Sequence, residues 1–305
     1  VTGPLAHLGA TLRLVARGIA ARGDPEPPVV APRRKPAVER TVVVGAKEAA
    51  RHLGATRGEG LRGRDGGPLV SPLFPATWET AQAVELFAGL DRPLPAGGVV
   101  HLDSELLPLR PLRAGDRLRC RVELERAEAV RKGLRLTLAA RNWNAAGDLC
   151  SQSTAVFLAR SRTPPEEPDG PRPPRPAGPD GEPPDAWEEL ARWSLRGDAG
   201  RRYARASGDY NPIHLWPWTA RPFGFRRPIL HGFCTAAMVA HALAAERLGG
   251  DPAALTRLRI AFRAPVPLPS RVRLLLGESG GRRWFRVVDE SGEKVHAEGT
   301  WAGAA

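Results

Sequence analysis

Asp209 and His214 stand five residues apart in the stretch 207-SGDYNPIH-214. A carboxylate and an imidazole at that separation can work as an acid/base pair, taking one proton from a substrate and giving another back near neutral pH. Gly208, Asn211 and Pro212 resist regular structure, so both groups are expected on a loop. A second stretch, 231-HGFC-234, adds His231, Gly232, Phe233 and Cys234. Gly232 lets a substrate oxygen come close to the backbone. If a helix begins there, its free N–H groups and dipole favour an oxygen bearing negative charge. Each piece also has a plainer reading. Asp-x-Asn-Pro is a good turn sequence by itself, and a lone histidine is more often a hydrogen-bonded structural group than a base. His231-Gly232 can be no more than the start of a helix. Cys234 has no neighbouring base and reads as a small core residue.

The elements that must position these residues can be read on either side. Asp198 is a suitable N-cap for a short helix over 199–208, which Gly208 would end. The segment 222-PFGFRRPILHG-232 then leads into 232-GFCTAAMVAHALAAERLGG-250, a long and mostly apolar helix closed by a glycine pair. Strands are expected near 256–264, 270–277, 282–290 and 293–301. The first half repeats this layout. Thr77 would cap a helix over 77–90, followed by strands at about 99–109, 117–127, 133–143 and 149–159. The kink between the first two strands recurs as 110-RPLRAGDRL-118 and 264-APVPLPSRV-272. A helix that is apolar nearly all round should be wrapped by a sheet. One helix and an antiparallel meander, twice, predict an α+β double hot dog that forms an internal pseudo-dimer.

The 305 residues divide as 1–38, an amphipathic segment and linker; 39–160, a first hot dog unit; 161–186, a second linker; and 187–305, the unit with the candidate site. Ten of the 21 residues from Pro164 to Pro184 are proline, which rules out a packed core there. Leu5, Leu8, Leu12, Val15 and Ile19 have helical spacing, but Arg13, Arg17 and Arg22 interrupt the run, so it lacks the apolar core of a signal peptide. The net charge is +12, from 45 Lys+Arg against 33 Asp+Glu. The basic residues are scattered, and nearly all are Arg, with Lys only at 35, 47, 132 and 294. This pattern argues against nucleic acid as a partner and favours small anionic molecules. No apolar run reaches the roughly 20 residues of a membrane span. Cys120, Cys150 and Cys234 are an odd set without a CxxC pair, so neither a disulfide framework nor a zinc site is expected, and a reducing, cytoplasmic setting is.

Over 199–241 the segments YARASGDYNPIH and RPILHGFCTAA resemble the two signature stretches of the MaoC-like, or hydratase-2, family of (R)-specific enoyl-thioester hydratases and 3-hydroxyacyl-thioester dehydratases. AFRAPVPLP is similar to the strand-kink-strand that follows the helix in that family. The first half resembles the degenerate unit of two-domain members: 73-LFPATWETA-81 takes the place of 229-ILHGFCTAA-237, with no Asp-x4-His before it. The resemblance implies that Asp209 and His214 are the catalytic pair around a water, with Asn211 helping to hold it and the Gly232 amide receiving the thioester carbonyl. It implies an acyl-CoA or acyl carrier protein thioester as partner, and no metal or redox cofactor. Ser207, His231, Phe233, Arg226, Arg227 and Trp216 are the further expected substrate contacts. Trp216 departs from the family, which has an acidic or amide residue there, and with Trp218 would either change the surroundings of the pair or narrow the pocket. A hot dog thioesterase and a non-catalytic acyl-thioester-binding protein are the alternatives. One site per chain is expected, as a monomeric pseudo-dimer or a homodimer, with the acyl tail running from Gly232 towards helix 77–90 and its approach 71–75.

Overall fold

A computed structural model of the chain describes residues 36–61, 69–90, 94, 99–130, 132–160 and 181–304. The amphipathic segment 5–23, most of the linker that follows it, and residues 161–180 of the proline-rich stretch lie outside the described residues.

The first unit consists of β1 (Ala37–Val43), α1 (Ala46–Ala55), α2 (Ala76–Ala88), β2 (Val99–Pro108), β3 (Arg117–Val130), β4 (Gly133–Trp143) and β5 (Leu149–Arg160). The second consists of β6 (Glu188–Leu195), α3 (Ala199–Ser207), the short α4 (Pro217–Ala220), α5 (Gly232–Arg247), β7 (Leu255–Phe262), β8 (Ser270–Ser279), β9 (Arg282–Asp289) and β10 (Val295–Gly303). Alternation makes the strands: in β3, Leu118, Cys120, Val122 and Leu124 face the core while Arg119, Arg121 and Glu123 between them face out. The central helix α5 is apolar on every side, and each residue from Phe233 to His241 is buried. It packs among Leu255, Leu258 and Ile260 of β7 and Leu274, Phe285 and Val287 of the strands beyond. In the first unit, Trp78, Ala83, Leu86 and Phe87 of α2 pack on the inward residues of β3 and β4.

All ten described strands pair antiparallel in one continuous sheet, ordered β1-β3-β4-β5-β2-β7-β10-β9-β8-β6. The two units therefore meet edge to edge. The seam runs from Asp103↔Ala261 to Leu106↔Leu258, and Arg257 Nε donates to Glu105 Oε1 across it at 2.6 Å. On the other side of the seam, α1 packs against α3. This is the expected double helix-and-meander architecture.

Three local expectations are corrected. First, β1, α1 and β6 were not anticipated. The buried face of α1 is only Ala49 and His52, too thin an apolar stripe to register as a period. The first unit's sheet thus begins at Ala37, ahead of the expected boundary at 39. Second, Thr77 does not cap α2: the helix starts at Ala76 behind Pro75, with Thr77 buried in its first turn. Third, Asp198 precedes α3 without a side-chain cap, because its carboxylate accepts from Arg196 Nε at 3.2 Å instead.

Candidate active site

The loop after α3 is built from short-range hydrogen bonds. The helix ends at Gly208, whose φ of +78° is a left-handed conformation that glycine adopts without strain. Ser207 Oγ donates to the Tyr203 carbonyl at 2.9 Å and accepts the Asp209 amide at 3.2 Å. Asp209 Oδ1 accepts the Asn211 amide at 3.1 Å. Asn211 Oδ1 in turn accepts the Ile213 amide at 3.4 Å, capping a single 3₁₀ turn, Pro212–His214. These side-chain-to-backbone bonds present Asp209 half-buried and His214 buried. The turn lies hard against α3: a Cβ on Gly200 would strike the His214 carbonyl oxygen.

The other wall is the chain leading into α5. Leu230 N donates to the Val266 carbonyl at 2.9 Å, and Leu268 N to the Pro228 carbonyl at 2.8 Å. The kink after β7 therefore fixes where His231 and Gly232 stand. His231 precedes the helix with extended backbone and no side-chain cap, so the first-turn amides of α5 have no helix carbonyl to bond.

The two imidazoles are stacked, with centroids 3.7 Å apart and planes 25° apart. His214 Nδ1 lies 2.8 Å from the Ile229 carbonyl oxygen. A carbonyl only accepts, so the proton sits on Nδ1 and Nε2 keeps its lone pair. His231 Nε2 likewise donates to the Asp209 carbonyl at 3.0 Å. Burial holds both rings down to about pKa 3; for His214 the neighbouring His231 adds to the effect. Both are therefore neutral at pH 7. One carboxylate oxygen of Asp209 and one ring nitrogen of each histidine all lie within 4.8 Å of one another. Such a trio can hold a cation or a water. The His231 Nε2 proton is spent on the Asp209 carbonyl, which takes that nitrogen out of a ligand set, while the ring's Nδ1 is buried without a partner among the described residues.

The chain is similar to known proteins. The MaoC like domain profile matches residues 180–300. The 3-hydroxyacyl-thioester dehydratase X of Mycobacterium tuberculosis is 32% identical over 226 residues, 73% of this chain and 74% of that one. The chain belongs to the MaoC-like family. The crystal structure of HtdX from Mycobacterium tuberculosis matches this MaoC-like chain with a TM-score of 0.69 at 26% identity, covering 88% of it and 100% of HtdX. A conserved hypothetical protein of the same organism, described as having a double hotdog fold, matches with a TM-score of 0.58 at 15% identity, over 89% and 96% of the two chains. The fold of this MaoC-like protein is the double hot dog.

The remaining expected site residues are placed variously. Gly232 begins α5, packed so closely that a Cβ there would lie 2.8 Å from His101 Nδ1 and 3.0 Å from the Phe262 ring. Phe233 is buried beside it. Ser207 is spent on the loop's own backbone, and His231, only 2% exposed, supports His214 from behind. Arg226 and Arg227 are exposed on the approach to α5. Trp216 is 37% exposed and stacks on Trp218, which is 64% exposed, with centroids 5.3 Å apart, at the surface of the MaoC-like unit. Two neighbours of the site were not anticipated. Gly200 could have been found as an isolated glycine inside a helical pattern, which marks a close approach. His101 comes from the other unit and left no signal beyond its place in a strand.

Proposed function

We propose that the chain is a hydro-lyase that interconverts (R)-3-hydroxyacyl and trans-2-enoyl thioesters, with one active site per chain. The hydro-lyase reading has the support of the named dehydratase relative. The observation that carries the chemistry is the convergence of the Asp209 carboxylate and the free Nε2 of neutral His214 beside the start of α5. In the dehydration direction, the thioester carbonyl rests on the Gly232 amide. His214 Nε2 takes the α-proton, and the electron pair forms an enolate whose oxygen the helix N-terminus stabilises. The C–O bond at the β-carbon then breaks as the pair returns a proton to the departing hydroxyl. The double bond forms, water leaves, and the enzyme ends in its starting protonation state. Asp209 accepts hydrogen bonds from the hydroxyl or water and offsets the positive charge on His214 while it holds the proton. The reaction balances without a metal or redox cofactor. Arg226 and Arg227 give the approach a positive charge suited to the phosphates of CoA or to an acidic carrier protein. Three buried free thiols suit a reducing cytoplasm.

The test is loss of enoyl absorbance when trans-2-enoyl-CoAs are mixed with the protein, with release of free thiol followed in parallel. Asp209→Asn and His214→Gln should each lower kcat/KM by about 10²–10⁴-fold at an unchanged unfolding midpoint. Thiol release without hydration, or full activity in both folded variants, refutes the reading.

A further inference from the structure

The tail of the substrate was expected to run from Gly232 towards α2, and a cavity does lie there. Its lining includes Glu79, Thr80 and Ala83 of α2, Ser153 and Phe157 of β5, and Phe233 of α5. It has room for about one water molecule. What stands between it and Gly232 is His101 of the first unit. The β2–β5 register slips between His101 and Asp103, so β2 carries a bulge at Leu102, a device that re-aims neighbouring side chains. The His101 ring meets Gly232 on one side. On the other it stacks on Phe157 at 4.7 Å and leans on Phe233 at 4.6 Å, both of which line the cavity. Phe262 of β7 closes a further side at 4.6 Å. The ring is pinned by Ser104, which is buried, through a 2.7 Å bond between Nε2 and the hydroxyl, and by a hydrogen bond to the Asp103 backbone.

The geometry points to His101 as the residue that sets acyl-chain length, a plug contributed by the unit that lacks the acid/base pair. With the ring in place, the passage from Gly232 to the cavity is shut and short enoyl thioesters are preferred. Removing the ring, or its tie to Ser104, opens the passage. The inference rests on the hydratase reading above and deepens it.

The experiment compares kcat/KM for a six-carbon and a four-carbon trans-2-enoyl-CoA in the whole chain, a difference that the lost ring and the one-water cavity can accommodate. His101→Ala should raise the long-to-short ratio by about tenfold or more, the scale on which a hydrophobic pocket separates substrates by a methylene. Ser104→Ala keeps the ring and removes one of its two hydrogen-bonded ties, and should move the ratio the same way by a smaller factor, so the idea is tested even if His101→Ala fails to fold. Adding Ala83→Trp to His101→Ala refills the cavity and should return the ratio to the wild-type value. A ratio unmoved in the folded single variants, with hydration intact, overturns the plug alone. Absence of hydration with every enoyl thioester removes the hydratase reading and the plug with it.

Discussion

The His214 ring gives its Nδ1 proton to the Ile229 carbonyl and keeps the Nε2 lone pair free, and burial keeps that lone pair unprotonated far below neutral pH. A free histidine would lose activity as a base on passing below about pH 6.5. Here kcat/KM for hydration should show no one-proton inflection near that value, and should hold until the fold itself fails in acid. A pH–rate profile with such an inflection, absent in a stability profile, would show that the ring is solvated. At this scale the sequence was informative where the cause is local. Asp209 and His214 could be picked out because Gly208, Asn211 and Pro212, which shape their loop, are their neighbours in the chain. His101 could not, since what makes it notable is contact with Gly232 across the seam between units. The roles of Ser207 and Asn211 were hidden for a different reason. Their side chains are occupied by backbone amides of the same loop, and residue type alone does not say which partner a hydroxyl or amide will choose.

Between elements, the tightest contact near the pair is that of α3 with the turn carrying His214. Gly200 permits it, and any Cβ there pushes against a backbone carbonyl that cannot swing aside. Gly200→Ala improves helix propensity by up to about 1 kcal/mol, so a variant judged on α3 alone would be stabilised. The contact predicts the opposite outcome for catalysis: His214 is displaced, and kcat/KM falls by about tenfold to a hundredfold, as small misplacements of reactive groups do. Normal kinetics in Gly200→Ala would mean that the turn can retreat without moving the ring. The long elements were legible because their patterns are strong: α5 is apolar over most of its length, and the meander strands alternate and are separated by turn residues. What escaped were β1, α1 and β6. In α1 the sequence AKEAARHLGA carries its burial on an alanine and a histidine, and only packing on α3 reveals that this face is inside.

At the scale of the molecule, the interior holds imidazoles that burial keeps neutral. His52, His101, His214 and His231 are held down to about pKa 3 and His241 to about 4, and His296 is lowered as well, against an unfolded value near 6.5. Above that value the folded and unfolded chains carry the same protons on these rings. Below it the unfolded chain takes up protons that the folded one refuses, and stability falls by up to about 1.4 kcal/mol per pH unit for each ring. Glu79 and Asp103, whose carboxyls burial holds above their ordinary range, act in the opposite sense but are two groups against six. Thermal midpoints should therefore drop steeply between about pH 6.5 and 4.5; a flat profile would require that the rings are hydrated in the native state. The seam of β2 on β7 also bears on how such a molecule can change over generations. A site shared by two identical copies repeats every substitution at its mirror position. Here His101 and Phe157 come from one repeat and Asp209, His214 and Gly232 from the other, on a single chain. On the roles proposed above, a mutation at His101 alters one pocket per chain and has no mirror position, so the range of substrates can drift while the loop of Asp209 and His214 is left untouched.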